Sequence, residues 1–327
     1  MKLLLTSAGS YPRIGDTPEQ QKLRRTLAAL ERQEASEADL RAAEDELTRA
    51  ALAEQAEAGL DLVTDGLIRW YDPISHLAGK LAGVKINGLL RFFDTNSYFR
   101  QPVVEGEIKA QDGLLLSEFE FAKANSPKPV KPVLTGPYTL ARHSLVEHAP
   151  YKQTEALTRA YAQALAPELE ALAKAGAEVI QIDEPAILKR PADFPILERT
   201  VMMLSKHKGR AKLALYLYFG DALPLYERLQ KLPVDILGLD FTYNPKLVDR
   251  VAMAASEKPL ALGLVDGRNT RLEDPAEVAH QIDRIRLRVK GDLYLNPSCG
   301  LEYLPRDRAL AKLKLLPKIR ELVKGAK

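Results

Sequence analysis

Cysteine is almost missing. The 327 residues hold one, Cys299, so no internal disulfide can form, and the chain fits a reducing compartment. Tryptophan also occurs once, and aromatic residues make up only 6% of the chain. No apolar run approaches the ~20 residues that span a bilayer. The opening run Leu3-Leu4-Leu5 is too short for the core of a signal peptide. The expected location is therefore the cytoplasm. Neither sign of charge dominates: 47 Lys and Arg face 44 Asp and Glu, a net +3. That balance gives no reason to expect nucleic acid or a membrane as partner. Histidine pairs are absent too. His76, His143, His148, His207 and His280 form no His-x-His, His-x-Cys or HExxH motif.

What is present is the material of a large α/β fold. Hydrophobic residues are 46% and charged residues 28% of the chain, ample for a core without disulfides. Eight short apolar runs read as strands: Lys2–Ser7, Leu60–Thr64, Val130–Thr135, Glu178–Ile182, Ala211–Tyr218, Asp235–Phe241, Pro259–Val265 and Asp292–Asn296. Helical spacing marks Pro18–Ala58, broken near Ala35-Ser36 with Ser36 as a cap. It recurs over Tyr151–Ala175, Asp193–Lys206, Ala222–Lys231, Pro275–Arg288 and Arg306–Val323. Eight alternating units predict a (β/α)₈ barrel, with a doubly wound open sheet as the alternative. Gly79–Lys109, with Asn87-Gly88 and Phe92-Phe93, predicts a β-hairpin excursion between the second and third strands. No linker or short repeat interrupts the pattern, so residues 1–327 are read as one domain.

In such a barrel the chemistry sits at the C-terminal ends of the strands. Strand four ends Gln181-Ile182-Asp183-Glu184-Pro185, where adjacent carboxylates suit an ammonium group or proton transfer, or simply solvate a strand end. Strand three ends in Gly136-Pro137, a tight turn whose following N–H groups can meet an anion, or simple loop punctuation. Strand seven ends Asp266-Gly267-Arg268-Asn269. These residues suit a ligand carboxylate or amide, or bridge one another to shape the loop. Cys299, after strand eight, is a candidate metal ligand or nucleophile, or a small buried hydrophobe. Lys22, Arg24 and Arg25 form a basic cluster that suits a polyanionic tail, or is a solvated helix face.

These loops also carry a resemblance. Gly9-Ser10-Tyr11-Pro12-Arg13-Ile14-Gly15 resembles the GFPRxG opening of cobalamin-independent methionine synthase. Trp70-Tyr71-Asp72 resembles its WYD, and Phe93-Asp94-Thr95-Asn96-Ser97-Tyr98 its WFxTNYHY. Lys131-Pro132-Val133-Leu134-Thr135-Gly136-Pro137 is similar to its KPVLLGP, and Gln181-Ile182-Asp183-Glu184-Pro185-Ala186 to its QIDEPAL. Tyr218-Phe219-Gly220, Leu232-Pro233-Val234, Asp266-Gly267-Arg268-Asn269 and Ser298-Cys299-Gly300-Leu301 follow in the same order, so the resemblance covers nearly the whole chain.

That family joins two barrels, a C-terminal one with the catalytic zinc and an N-terminal one without it. The GFPRxG, TNYHY and GRN signatures resemble the N-terminal barrel, which binds the folate and its glutamate tail. The resemblance implies a binding set of Arg13, Lys22, Arg24, Tyr71, Asp72, Arg91, Asn96, Gln181, Asp183, Glu184, Asp266, Arg268 and Asn269. The family's tail motif Arg-Glu-Leu-Lys is matched by Gln21-Lys22-Leu23-Arg24, which keeps only the Leu and the final charge. The positions matching the zinc ligands are Tyr216, Tyr218, Asp240 and Cys299, a poor zinc set. The catalytic barrel's proton-donating His after strand seven has no counterpart either. The resemblance therefore implies a chain that binds methyltetrahydrofolate, holds no cofactor itself and works with a separate zinc-bearing barrel in methionine biosynthesis. The alternatives are a self-sufficient methyltransferase and a non-catalytic folate or amino-acid binding protein.

Overall fold

The computed structural model describes residues 2–111 and 113–325. The strands are β1 (Leu3–Leu5), β2 (Ala82–Arg91), β3 (Tyr98–Lys109), β4 (Val133–Thr135), β5 (Leu145–Val146), β6 (Val179–Asp183), β7 (Lys212–Leu217), β8 (Ile236–Asp240), β9 (Leu260–Val265) and β10 (Leu293–Pro297). The helices are α1 (Lys22–Glu31), α2 (Glu37–Glu57), α3 (Ser75–Ala78), α4 (Leu116–Asn125), α5 (Pro137–His143), α6 (Thr154–Lys174), α7 (Phe194–Leu204), α8 (Tyr226–Leu229), α9 (Lys246–Ala254), α10 (Pro275–Ile285) and α11 (Arg306–Leu322).

Seven strands pair in parallel in the order β1-β10-β9-β8-β7-β6-β4. The gap between β4 and β1 is closed by the predicted second strand, which pairs through single bridges, Thr6 with Leu62 and Val63 with Val130. The result is the predicted (β/α)₈ barrel. The second strand is thinner than the apolar run Leu60–Thr64 implied, and side chains explain why. Asp61 accepts the Leu5 N–H (2.8 Å) through its carboxylate. Gln55 takes both the N–H and the C=O of Thr64 (3.1 and 2.8 Å). Three groups that would extend a ladder are thus satisfied from the side.

The helix break near Ala35-Ser36 falls where predicted. Ser36 and Asp39 form a reciprocal capping box at the start of α2. The predicted helix Ala222–Lys231 shrinks to a 3₁₀ turn and the four residues of α8, with Pro224 in the 3₁₀ turn and Pro233 just beyond. β2 and β3 form the predicted hairpin, and β5 extends it to three strands. Strand faces alternate as a barrel requires. Leu260, Leu262 and Leu264 face the helices, while Gln181 and Asp183 point inward. Gly238 is needed for packing: a Cβ there would lie 2.6 Å from the Tyr216 ring, which fills the interior beside it.

Candidate functional site

Asp183 stands at the centre of the barrel mouth, at the end of β6 and only 7% exposed. Its Oδ1 accepts from Gln181 Nε2 (2.6 Å), and its Oδ2 from the Tyr218 hydroxyl (2.9 Å). Gln181 Nε2 also reaches Ala8 O on the far side of the barrel (2.7 Å). Below them lies Lys131, fully buried. Its Nζ donates to Ser7 O (2.9 Å) and sits 3.5 Å from the Tyr216 hydroxyl. Burial pushes the Asp183 carboxyl up, to about 7; the bonds from Gln181 and Tyr218 and the charge of Lys131 oppose it. Burial pulls the Lys131 ammonium down, to about 7, and Asp183 opposes that. The sequence reading quoted Lys131 in a motif but gave it no role. A lysine entering an apolar strand was the available signal.

Glu184 is engaged within the chain. Its Oε1 accepts the Tyr138 N–H (2.9 Å), and its Oε2 accepts the Thr139 N–H and hydroxyl (both 2.7 Å). The N–H groups expected to meet an anion after Gly136-Pro137 do meet one, and it is internal. Gly136-Pro137 opens α5 as cap and first residue, not a simple turn.

Asp72 is spent in the same way. It accepts from the Ile74 and Ser75 N–H groups (2.8 and 2.6 Å), the Ser75 hydroxyl and the Arg100 N–H (3.0 Å). Trp70 donates to Glu118 (3.3 Å) and stacks on His76, while Arg100 lies 3.7 Å over the Tyr71 ring. The Trp70-Tyr71-Asp72 motif thus bolts the root of the hairpin to the barrel.

The hairpin turn roofs the mouth. Residues 94–97, including Asn96, join Arg268, Glu302 and Tyr303 around a cavity of about 360 Å³. Phe93 and Phe219 meet beside it, ring centroids 5.4 Å apart, and each holds a left-handed backbone (φ 50° and 63°). Bulky residues in that region are strained, and such strain gathers at functional sites. Glu302 and Tyr303 escaped the sequence reading because they follow the last motif by one and two positions. Arg91 is exposed at the start of the turn, its Nε donating to Thr95 O (2.5 Å).

Asp266 accepts from the Arg268 N–H and Nε (2.8 and 3.1 Å) and from Asn269 Nδ2 (2.6 Å). The loop-shaping alternative is the one realised, although Arg268 still faces the cavity. Arg13 and Arg24 border a second cavity of about 310 Å³, lined also by Ile14, Leu23, Leu27, Ala28 and the carboxylate-bearing Glu31. Arg13 Nε is buried and has no hydrogen-bond partner. Lys22 points elsewhere and pairs with Glu46 on α2.

At the four positions matching zinc ligands, most of the donor atoms are engaged within the chain. The Tyr218 hydroxyl is taken by Asp183, and Tyr216 faces the ammonium of Lys131. Burial raises both phenols. Asp240 Oδ1 is taken by Thr242 and Tyr243, leaving Oδ2. Burial also pushes the Cys299 thiol well above its ordinary value. That leaves one carboxylate oxygen and one thiol of the four donors a closed zinc site takes. Among the described residues, no three His, Cys, Asp or Glu side chains converge to hold a metal, and no helix is long and apolar enough to cross a membrane.

Fold and mouth together define a (β/α)₈ barrel protein with its polar centre at the C-terminal strand ends. The family profile described as "Cobalamin-independent synthase, Catalytic domain" matches residues 5–321. The methionine synthase of Sulfurisphaera tokodaii is 32% identical over 322 residues, 96% of this chain and 90% of that one. That of Sulfolobus acidocaldarius is 32% identical over 308 residues, 92% and 88% of the two chains. Among solved structures, a B12-independent methionine synthase from Shewanella sp. W3-18-1, in complex with selenomethionine, superposes with a TM-score of 0.79 at 23% identity over 98% of each chain. The chain belongs to the cobalamin-independent methionine synthase family. The matching profile describes the family's catalytic domain, whereas the motifs above resemble the N-terminal barrel.

Proposed function

We propose that the chain is the binding barrel of a methionine-synthase-type methyltransferase, holding methyltetrahydrofolate at its mouth and working with a separate zinc-bearing barrel. The observation that carries this reading is the donor set at the zinc-matching positions, where two phenols are committed to Asp183 and Lys131. Arg13 and Arg24 beside Leu23, Leu27 and Ala28 suit an aryl body that carries carboxylates, with Glu31 the one acid in the same lining. Asn96 and Arg268 line the cavity under the hairpin turn, and exposed Arg91 is bonded to Thr95 of the same lining. Asp183 keeps acceptor positions for an ammonium group, which suits an amino acid as the second ligand. The selenomethionine complex of the Shewanella protein supports that choice.

A second reading, self-sufficient methyl transfer, is favoured by the match to the catalytic-domain profile. It is also favoured by relatives called methionine synthase that are about one barrel long. Elemental analysis separates the two, on protein purified without chelators or a metal-affinity tag. The proposed reading expects no stoichiometric zinc and no methionine from homocysteine by this chain alone, with turnover when the partner barrel is added. About one zinc per chain, lost in Cys299→Ala, together with turnover by the single chain, would establish the second reading instead.

A further inference from the structure

The apolar face of α11 is interrupted by a lysine. Ala309, Leu313, Leu316 and Ile319 form a buried stripe at helical spacing, and Lys312 stands among them, fully buried. Its Nζ donates to both oxygens of Glu273, just before α10 (2.9 and 3.2 Å). A buried ion pair is a poor way to add stability, since well-packed apolar residues often do as well or better. What this pair fixes is an orientation. Glu273 Oε1 also accepts the N–H of Asp266, the first residue beyond β9 (2.9 Å). The Asp266 carboxylate in turn accepts the Arg268 N–H and Nε (2.8 and 3.1 Å). Arg268 lines the cavity under the hairpin turn, and Lys312 reaches that cavity only through this chain of bonds. The loop has little room to absorb a change. The Gly267 N–H donates to Ser298 Oγ (3.1 Å), and a Cβ on Gly267 would lie 2.9 Å from Cys299 Sγ and 3.0 Å from Cys299 O. Pressed against the end of β10 in this way, the loop holds Arg268 only as firmly as Asp266 itself is held.

We propose that Lys312 is a positioning residue that aims Arg268 into the cavity through Glu273 and Asp266, so that a carboxylate of the ligand meets a guanidinium fixed in advance. The inference rests on the reading that the mouth binds methyltetrahydrofolate. It requires no contact between Lys312 and the ligand. Without the ammonium, Glu273, which is partly exposed, turns to water, and the Asp266 N–H loses its acceptor.

Calorimetry of the full chain with 5-methyltetrahydrofolate tests this. Arg268→Ala is expected to weaken binding roughly tenfold, the worth of one charge-assisted hydrogen bond, and Lys312→Met roughly fivefold. The double variant decides the matter. If Lys312 acts through Arg268, adding Lys312→Met to Arg268→Ala weakens binding no further. A general loosening of α11 would weaken it by the same factor in both backgrounds, and that result overturns the inference. So does either single variant that binds as wild type does. Ile319→Ala, a cavity on the same helix face, is the control for lost stability. It is expected to lower the Tm and leave the affinity unchanged; an equal loss of affinity there would make Lys312 merely structural. Should Lys312→Met fail to fold, Lys312→Met with Glu273→Leu restores an apolar contact. That chain is expected to fold and still bind weakly, and wild-type affinity in it would sink the inference. Wild-type protein that binds no methyltetrahydrofolate ends the folate reading itself, whereas additive effects in a chain that does bind end only this inference.

Discussion

Glu184→Ala lowers the stability of the chain by roughly 3 kcal/mol, read as a shift in the midpoint of urea unfolding. The magnitude follows from what the carboxylate does. It accepts the first free N–H groups of α5 and the Thr139 hydroxyl. The site is closed to water, since Glu184 is 1% exposed. Truncation leaves the Tyr138 and Thr139 N–H groups buried without acceptors, each costing about 1–3 kcal/mol. The anion at the positive end of the helix is also lost. Glu184→Gln retains one acceptor oxygen and is expected to cost about half as much. A Glu184→Ala protein with wild-type stability and lost ligand binding would instead restore Glu184 to the binding set.

Arg306→Met has a comparable or larger effect, roughly 3–5 kcal/mol by the same measurement. Arg306 opens α11 and is 3% exposed. Its Nε and one terminal nitrogen reach Glu54 on α2 (3.1 and 2.9 Å), and the other terminal nitrogen reaches Pro12 O (2.8 Å). Glu54 also accepts the Tyr11 hydroxyl (2.7 Å), so the last helix is fastened to the first strand's loop and to α2. Removing the cation leaves a half-buried carboxylate and a buried carbonyl unanswered. The double variant Arg306→Met with Glu54→Gln should recover part of the loss. Strict additivity of the two changes would show that the pair is not coupled.

The barrel was legible because its signals are periodic. Runs such as Glu178–Ile182 and Pro259–Val265 match the buried strands β6 and β9 and read as strands without any knowledge of neighbours. The hairpin was legible as a segment but not at its turn: Asn87-Gly88 lies inside β2 at a register shift, and the turn falls at residues 92–97, where the paired phenylalanines stand. The second strand was over-read because Leu60–Thr64 has the composition of a strand, while Asp61 and Gln55 divert its hydrogen bonds. The site was legible as a set of strand-end residues and illegible as a division of labour. Asp183 and Glu184 are neighbours in sequence, yet one faces the mouth and the other caps a helix 45 positions earlier in the chain. Only the fold reveals that Thr139 is waiting there. Asp72 was assigned to ligand binding for the same reason, since its partners Ser75 and Arg100 are set by the turn and the hairpin. Asp266 and Arg268 carried both readings in sequence, and the loop-shaping one needs only two residues of separation to form.

The single-bridge stave between β1 and β4 sets where this barrel breathes. A wall whose other staves share full ladders opens last at those ladders and first where side chains stand in for them. Amide protons of Leu62 and Val63 should therefore exchange with solvent well before those of Leu215 or Leu262. Because the same stave leads directly into Trp70-Tyr71-Asp72, each opening loosens the bolts that hold the hairpin over the mouth. The thinnest part of the wall is thus expected to share its openings with the hairpin above the mouth.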